Sequence, residues 1–125
     1  MNVVGVHHVQ LSMPKGGEDT ATAFYEAVLG IPRVPKPEHL ARRGGCWFET
    51  GTIRIHLGVE AGFTPARKAH PALIVDDLVG LRRRLEEAGV PVEDDEPLPG
   101  LERFYASDPF GNRLEFLQLR GVTDR

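Results

Sequence analysis

Four side chains in this sequence are placed to do metal chemistry once strand alternation is applied: His8, His56, His70 and Glu115. Successive side chains on a strand point to opposite faces. In the run from Thr52, Ile53, Ile55 and Leu57 share one face, and Arg54, His56 and Gly58 share the other. In the last apolar run Leu114 and Phe116 oppose Arg113, Glu115 and Leu117. Near the start His8 and Gln10 oppose Val9 and Leu11, and midway His70, Ala72 and Ile74 oppose Leu73 and Val75. The apolar faces are expected to pack on helices, leaving the His- and Glu-bearing faces free. Two histidines and a carboxylate on one sheet face form a divalent-metal site: imidazole supplies a lone pair, the carboxylate supplies charge, and open positions take water or substrate. A lone strand histidine is more often a surface or hydrogen-bonding residue, so convergence has to come from the arrangement of the elements.

Those elements repeat. Val3–Leu11 reads as a strand, broken by Pro14, Gly16 and Gly17. Glu18–Leu29 reads as a helix with acids in its first turn, Ala21, Phe24 and Val28 on one face, and Gly30 as the stop. Residues 31–43 carry Pro32, Pro35 and Pro37 and leave room for a short edge strand and a loop. Gly45–Glu49 and Thr52–Val59 read as a hairpin turning at Thr50–Gly51. The pattern then restarts with a strand over Ala69–Val75 and a helix capped by Asp76 or Asp77. That helix places Leu78, Leu81, Leu85 and Ala88 on one face and stops at Gly89. Strands over Val90–Glu93, Leu101–Ser107 and Arg113–Leu119 follow, the last two joined by Asp108-Pro109-Phe110-Gly111-Asn112. His8 and His70 lie 62 residues apart and Gly30 and Gly89 lie 59 apart, so each half reads strand, helix, then three strands. A unit of roughly 60 residues covers its own sheet poorly, so two units should pair, within one chain or between chains.

The bulk composition excludes several classes. The chain has 125 residues, 41% hydrophobic and 26% charged, with a single cysteine, Cys46. One soluble domain over 1–125, made of modules at about 1–62 and 63–125, is expected. One cysteine rules out an internal disulfide and a cysteine-rich zinc module. A net charge of −3 argues against a nucleic-acid partner, and no apolar run is long enough to span a membrane. Met1–Gly5 lacks the basic start of a signal peptide, so a cytoplasmic location is expected.

The order of motifs resembles the vicinal oxygen chelate superfamily, the glyoxalase/bleomycin-resistance/dioxygenase fold, over Val3–Leu119. The carriers are His8-Val9-Gln10-Leu11, Phe24-Tyr25 with Val28-Leu29-Gly30, His70-Pro71-Ala72-Leu73, and Asp108-Pro109-Phe110-Gly111-Asn112-Arg113-Leu114-Glu115. The resemblance implies an α+β fold of two βαβββ modules, forming a cupped mixed sheet with helices on the outer face. By motif position His8, His70 and Glu115 match the metal ligands. His56 stands where lactoylglutathione lyases carry a glutamate, which puts that activity in doubt and leaves His56 as a fourth ligand, a general base or a pocket-lining group. Glu115 and His56 are the expected catalytic residues, and the metal is Zn, Ni, Mn, Co or Fe(II). Two-module members commonly form homodimers, with His8 and His56 from one chain and His70 and Glu115 from the other.

Arg54, Arg103, Tyr105, Trp47 and Phe48 are further pocket candidates; Trp47 and Phe48 point to opposite faces, so one of them is expected to line the cup. His7 should point away from His8, and Cys46 reads as a small buried hydrophobe. Arg42, Arg43, Arg67 and Lys68 lie in the long loops, where they either attract an anionic substrate or serve solubility. The leading functional expectation is a metal-dependent lyase- or isomerase-like enzyme that stabilises an enolate or oxyanion of a small oxygen-rich substrate. The alternatives are a metal-free antibiotic-binding protein and an Fe(II) ring-cleaving dioxygenase.

Overall fold

The computed structural model describes residues 1–120. They form two compact units, Met1–Pro65 and Ala66 onward. The expected second module runs on through 121–125, which lie outside the described residues.

The first unit holds β1 (Val9–Met13), α1 (Glu18–Tyr25), β2 (Arg33–Val34), α2 (Glu38–Ala41), β3 (Cys46–Thr50) and β4 (Ile53–Val59). The second holds β5 (Ala72–Ile74), α3 (Leu78–Glu87), β6 (Val92–Asp94), β7 (Leu101–Ser107) and β8 (Arg113–Leu119). The sheet orders are β1-β4-β3-β2 and β5-β8-β7-β6. In each, the first strand runs parallel to the last and the other pairings are antiparallel. The two units therefore share one βαβββ topology, an α+β fold built on mixed sheets. No helix among the described residues is long and apolar enough to cross a membrane.

Each unit forms its core where its helix meets its sheet. In the first, Ala21, Phe24 and Tyr25 of α1 are buried with Cys46, Phe48, Ile55 and Leu57. In the second, Leu78, Leu81 and Leu85 of α3 are buried with Phe104, Leu114 and Phe116. Asp77 caps α3 by accepting from the Gly80 amide at 3.0 Å. At the other end, the Val90 amide donates to Leu85 and the Gly89 amide to Glu86. This closure needs the positive φ of Gly89 (77°).

Several boundaries differ from the sequence reading. The strand expected over Ala69–Val75 is only Ala72–Ile74, which leaves His70 just before it, and the one expected over Val90–Glu93 runs Val92–Asp94. The first strand starts at Val9 rather than Val3, and Val3, Val4 and Val6 are exposed. They have the side chains for a strand, but strand propensity does not form a ladder without a partner. The register runs only from Val9 opposite Ile55 to Met13 opposite Val59. The first helix ends at Tyr25, and residues 26–30 continue as hydrogen-bonded turns. The short helix α2 falls within the proline-rich stretch read as loop.

Candidate functional site

In the first unit the hairpin register sets Trp47 opposite His56, and β1 sets Gln10 opposite His56. Alternation puts these three side chains on the sheet face opposite α1. The Trp47 and His56 rings stack with centroids 4.0 Å apart and planes 4° apart. On its other side His56 stacks on His8 at 4.3 Å. Enclosed this way, His56 is only 4% exposed. Its Nε2 lies 2.7 Å from Glu49 Oε2. A carboxylate accepts, so Nε2 carries the hydrogen. Burial pushes the His56 imidazole below its ordinary value, and the Glu49 carboxylate opposes that shift.

His7 does not turn away from His8: their Nδ1 atoms are 3.0 Å apart. Alternation governs extended strand, and both residues precede Val9. Arg54 donates to the His7 carbonyl at 3.3 Å. Phe48 does not line this face. It is fully buried and stacks on Tyr25 at 5.2 Å, under α1, which leaves Trp47 on the side of His56. Cys46 is buried, and burial raises its thiol pKa.

The second unit gathers His70, Glu115, Arg103 and Tyr105. The register sets Tyr105 opposite Glu115 on β7–β8, and Ala72 opposite Glu115 on β5–β8. His70, just before β5, brings Nε2 to 3.0 Å from Glu115 Oε1. Its Nδ1 lies 2.8 Å from the Lys68 carbonyl. That carbonyl only accepts, so Nδ1 carries a hydrogen, and in the neutral ring Nε2 is a bare lone pair facing an anionic oxygen. Two acceptors facing each other at this distance require a cation between them, either a proton or a metal ion. Metal ligands at about 2.0–2.2 Å from a shared ion stand about 3 Å apart, so the pair fits a divalent metal. The Nδ1–carbonyl bond fixes the tautomer that such a ligand needs.

Glu115 is buried, and its second oxygen is occupied: Arg103 donates to Oε2 at 3.1 Å and to the Tyr105 hydroxyl at 2.8 Å. The hydrogen bond to Glu115 raises the Arg103 pKa further. Arg113 lies over the Tyr105 ring at 3.8 Å, a cation–π contact that completes the cluster. The turn before β8 holds Glu115 in register. Buried Asp108 accepts from the amides of Phe110 and Asn112 at 2.9 Å each, and from the Asn112 side chain at 3.0 Å.

The sequence-predicted ligands thus meet two by two: His8 and His56 stack face to face, with their ring lone pairs not aimed at a common point, and only His70 and Glu115 face each other through donor atoms. Among the described residues no three His, Cys, Asp or Glu side chains come together around one metal position. Sequence reasoning missed Glu49 and the part played by the Lys68 carbonyl. Glu49 was detectable, because it is two residues from Trp47 and so shares the face of His56. The Lys68 carbonyl carries no side-chain signal.

The sequence profile of the Glyoxalase/Bleomycin resistance protein/Dioxygenase superfamily matches residues 5–116. A glyoxalase family protein from Bacillus anthracis is similar in crystal structure, with a TM-score of 0.91, 46% identity, and coverage of 96% of this chain and 98% of that one. An antibiotic binding protein from a Streptomyces species shares the fold at TM-score 0.71 and 22% identity, covering 94% of this chain and 99% of its own. A fosfomycin resistance protein from Listeria monocytogenes does so at TM-score 0.74 and 15% identity, covering 94% of each chain. A comparison with curated proteins gave no match. With most of its length matched by the profile and nearly half its residues shared with the Bacillus anthracis protein, the chain belongs to the glyoxalase/bleomycin resistance protein/dioxygenase superfamily, the vicinal oxygen chelate proteins.

Proposed function

We propose that this chain is a metal-dependent enzyme acting on a small, oxygen-rich substrate, with His8, His70 and Glu115 as the ligands. The observation that carries the reading is the facing of His70 Nε2 and Glu115 Oε1 at 3.0 Å, with Nδ1 already committed to a carbonyl. A divalent cation there would supply Lewis-acid stabilisation of an enolate or oxyanion. The protein's own residues prepare for this in distinct ways. Lys68 fixes the His70 tautomer, and Arg103 holds one Glu115 oxygen so that the other is presented alone. His56, with Nε2–H given to Glu49, keeps a lone pair at Nδ1 with which to take a proton from a substrate carbon or hydroxyl. Trp47 gives the substrate face an apolar wall.

The reading joins these residues in a cup formed by a cytoplasmic homodimer, with His8 and His56 from one chain and His70 and Glu115 from the other. Metal analysis of protein purified without chelator or imidazole tests the first part. Stoichiometric metal that is lost in His8→Ala and Glu115→Ala supports it. Metal-free protein whose melting temperature does not respond to Zn, Ni, Mn, Co or Fe(II) refutes it. A monomer by light scattering that still holds one metal would refute the shared cup.

Metal-free sequestration of a small molecule is the second reading. The ion pair of Arg103 with Glu115 favours it, because the guanidinium compensates the carboxylate charge without a metal. The same metal analysis separates the two.

A further inference from the structure

We propose that the cleft beside the Trp47–His56 stack is an anion subsite, built to take the carboxylate or phosphonate end of a small molecule. This deepens the reading above, since it takes the sheet face opposite α1 as the substrate side. The cleft has a volume of about 280 Å³, and its wall includes Gln10, Lys36, Arg43, Trp47 and Gly58. That is slightly below the ~300–1,000 Å³ of pockets for drug-sized ligands, so it suits one end of a substrate.

Its place follows from the register. Gln10 and Trp47 are both cross-strand partners of His56, and Gly58 is two residues further along β4. The cleft therefore adjoins the histidine stack on the same face. Gly58 leaves room for the Gln10 side chain to lie across it, since a Cβ there would meet the Gln10 amide nitrogen at 2.7 Å.

Lys36 and the backbone beside Arg43 are held in place. They belong to the connection between β2 and β3, residues 35–45. The Lys36 ammonium donates to the Gly44 carbonyl, and Glu18 Oε2 accepts from the Gly45 amide at 2.7 Å. Gly45 has a φ of 84°, and a Cβ there would meet the Leu57 carbonyl oxygen at 2.2 Å, so the chain can return to β3 this tightly only through glycine.

The charge balance then favours an anion. Lys36 has three donors, and its recorded bond uses one of them. Neither Lys36 nor Arg43 forms a salt bridge to a carboxylate among the described residues. The nearby acid, Glu18, has one oxygen committed to the Gly45 amide. Two cations and the Gln10 amide line one small cleft, where charge-assisted bonds to oxygen are stronger than neutral ones.

The test uses the full ¹⁵N-labelled chain kept metal-free with chelator, so that it does not depend on the metal reading. Methylphosphonate and acetate are titrated at constant ionic strength, with chloride as the reference. The expected result is saturable shifts at the Gly44, Gly45 and Gly58 amides and the Trp47 indole. Affinity should fall roughly tenfold in Lys36→Gln and in Arg43→Gln, the loss of one charge-assisted bond. Arg83→Gln, on the exposed face of α3, should bind as wild type does. Binding of either probe supports the subsite, and the tighter probe identifies the group it takes. Absence of saturation with both probes, or equal weakening by Arg83→Gln, overturns it. Circular dichroism of each variant separates lost binding from lost fold. Anion binding by a protein that never takes up metal would leave the subsite standing and remove the metal reading alone.

Discussion

Arg103 holds Oε2 of Glu115 at 3.1 Å, which leaves the other oxygen to His70 at 3.0 Å. Both the arginine and the glutamate are largely buried, so the guanidinium fixes which carboxylate oxygen is offered. Loss of a partner that orients a metal ligand typically costs ~10–100-fold in metal affinity. Arg103→Gln is expected to show a loss of that size in competition with a chromophoric chelator, and Arg103→Lys to recover part of it. Unchanged affinity in the glutamine variant would rule out the positioning role.

His56 should leave a pH signature in stability. Burial lowers its folded pKa, so the unfolded chain takes the proton more readily. The stability it contributes is complete above the ordinary histidine value of about 6.5 and is lost as pH falls through the lowered folded value. His56→Phe keeps a ring between Trp47 and His8 but removes the titration. On metal-free protein, the wild-type melting temperature should drop more steeply than the variant's as pH falls below about 6.5. Parallel curves for the two proteins would contradict this.

Phe48 and Trp47 are neighbours with opposite tasks. Phe48→Ala empties a fully buried site against Tyr25 and should cost about 3–5 kcal/mol in urea unfolding. Trp47→Phe keeps an aromatic ring over His56 and should cost less than about 1.5 kcal/mol. If the tryptophan change proved the more damaging to stability, the assignment of faces would be wrong.

Asp108→Ala removes the acceptor for two amides and for the Asn112 side chain. Buried donors left unpaired make this cost roughly 2–4 kcal/mol, although residue 108 is on the opposite side of the turn from Glu115. Asp108→Asn keeps one acceptor oxygen and should lie between. A fully stable alanine variant would show that the turn does not depend on this side chain.

Much of this was legible in the sequence, because local rules carried it. The β7 and β8 boundaries, an α3 cap at Asp76 or Asp77 (it is Asp77) and the stop at Gly89 follow from alternation, capping and turn chemistry, each decided within a few residues. Where local preference needed a distant partner, reading failed. Val3–His8 has strand composition but no ladder beside it, and α1 gives way to turns at Glu26. The shared topology of the two units was visible as a repeat, because spacing records it directly.

The sequence by itself determined which side chains are available for chemistry and which face of each strand carries them, since a period of two fixes the face once the strand is placed. Tertiary structure decided what those side chains do. Register set Trp47 against one side of His56, the segment before β1 laid His8 on the other, and the His56 Nε2 went to Glu49. The folded second unit also brought Arg103 and His70 to opposite oxygens of Glu115. A hydrogen bond or a ring contact depends on distances of a few ångströms between residues far apart in the chain. Only the folded sheets set those distances, and so only they turned a list of histidines and a glutamate into two ordered pairs.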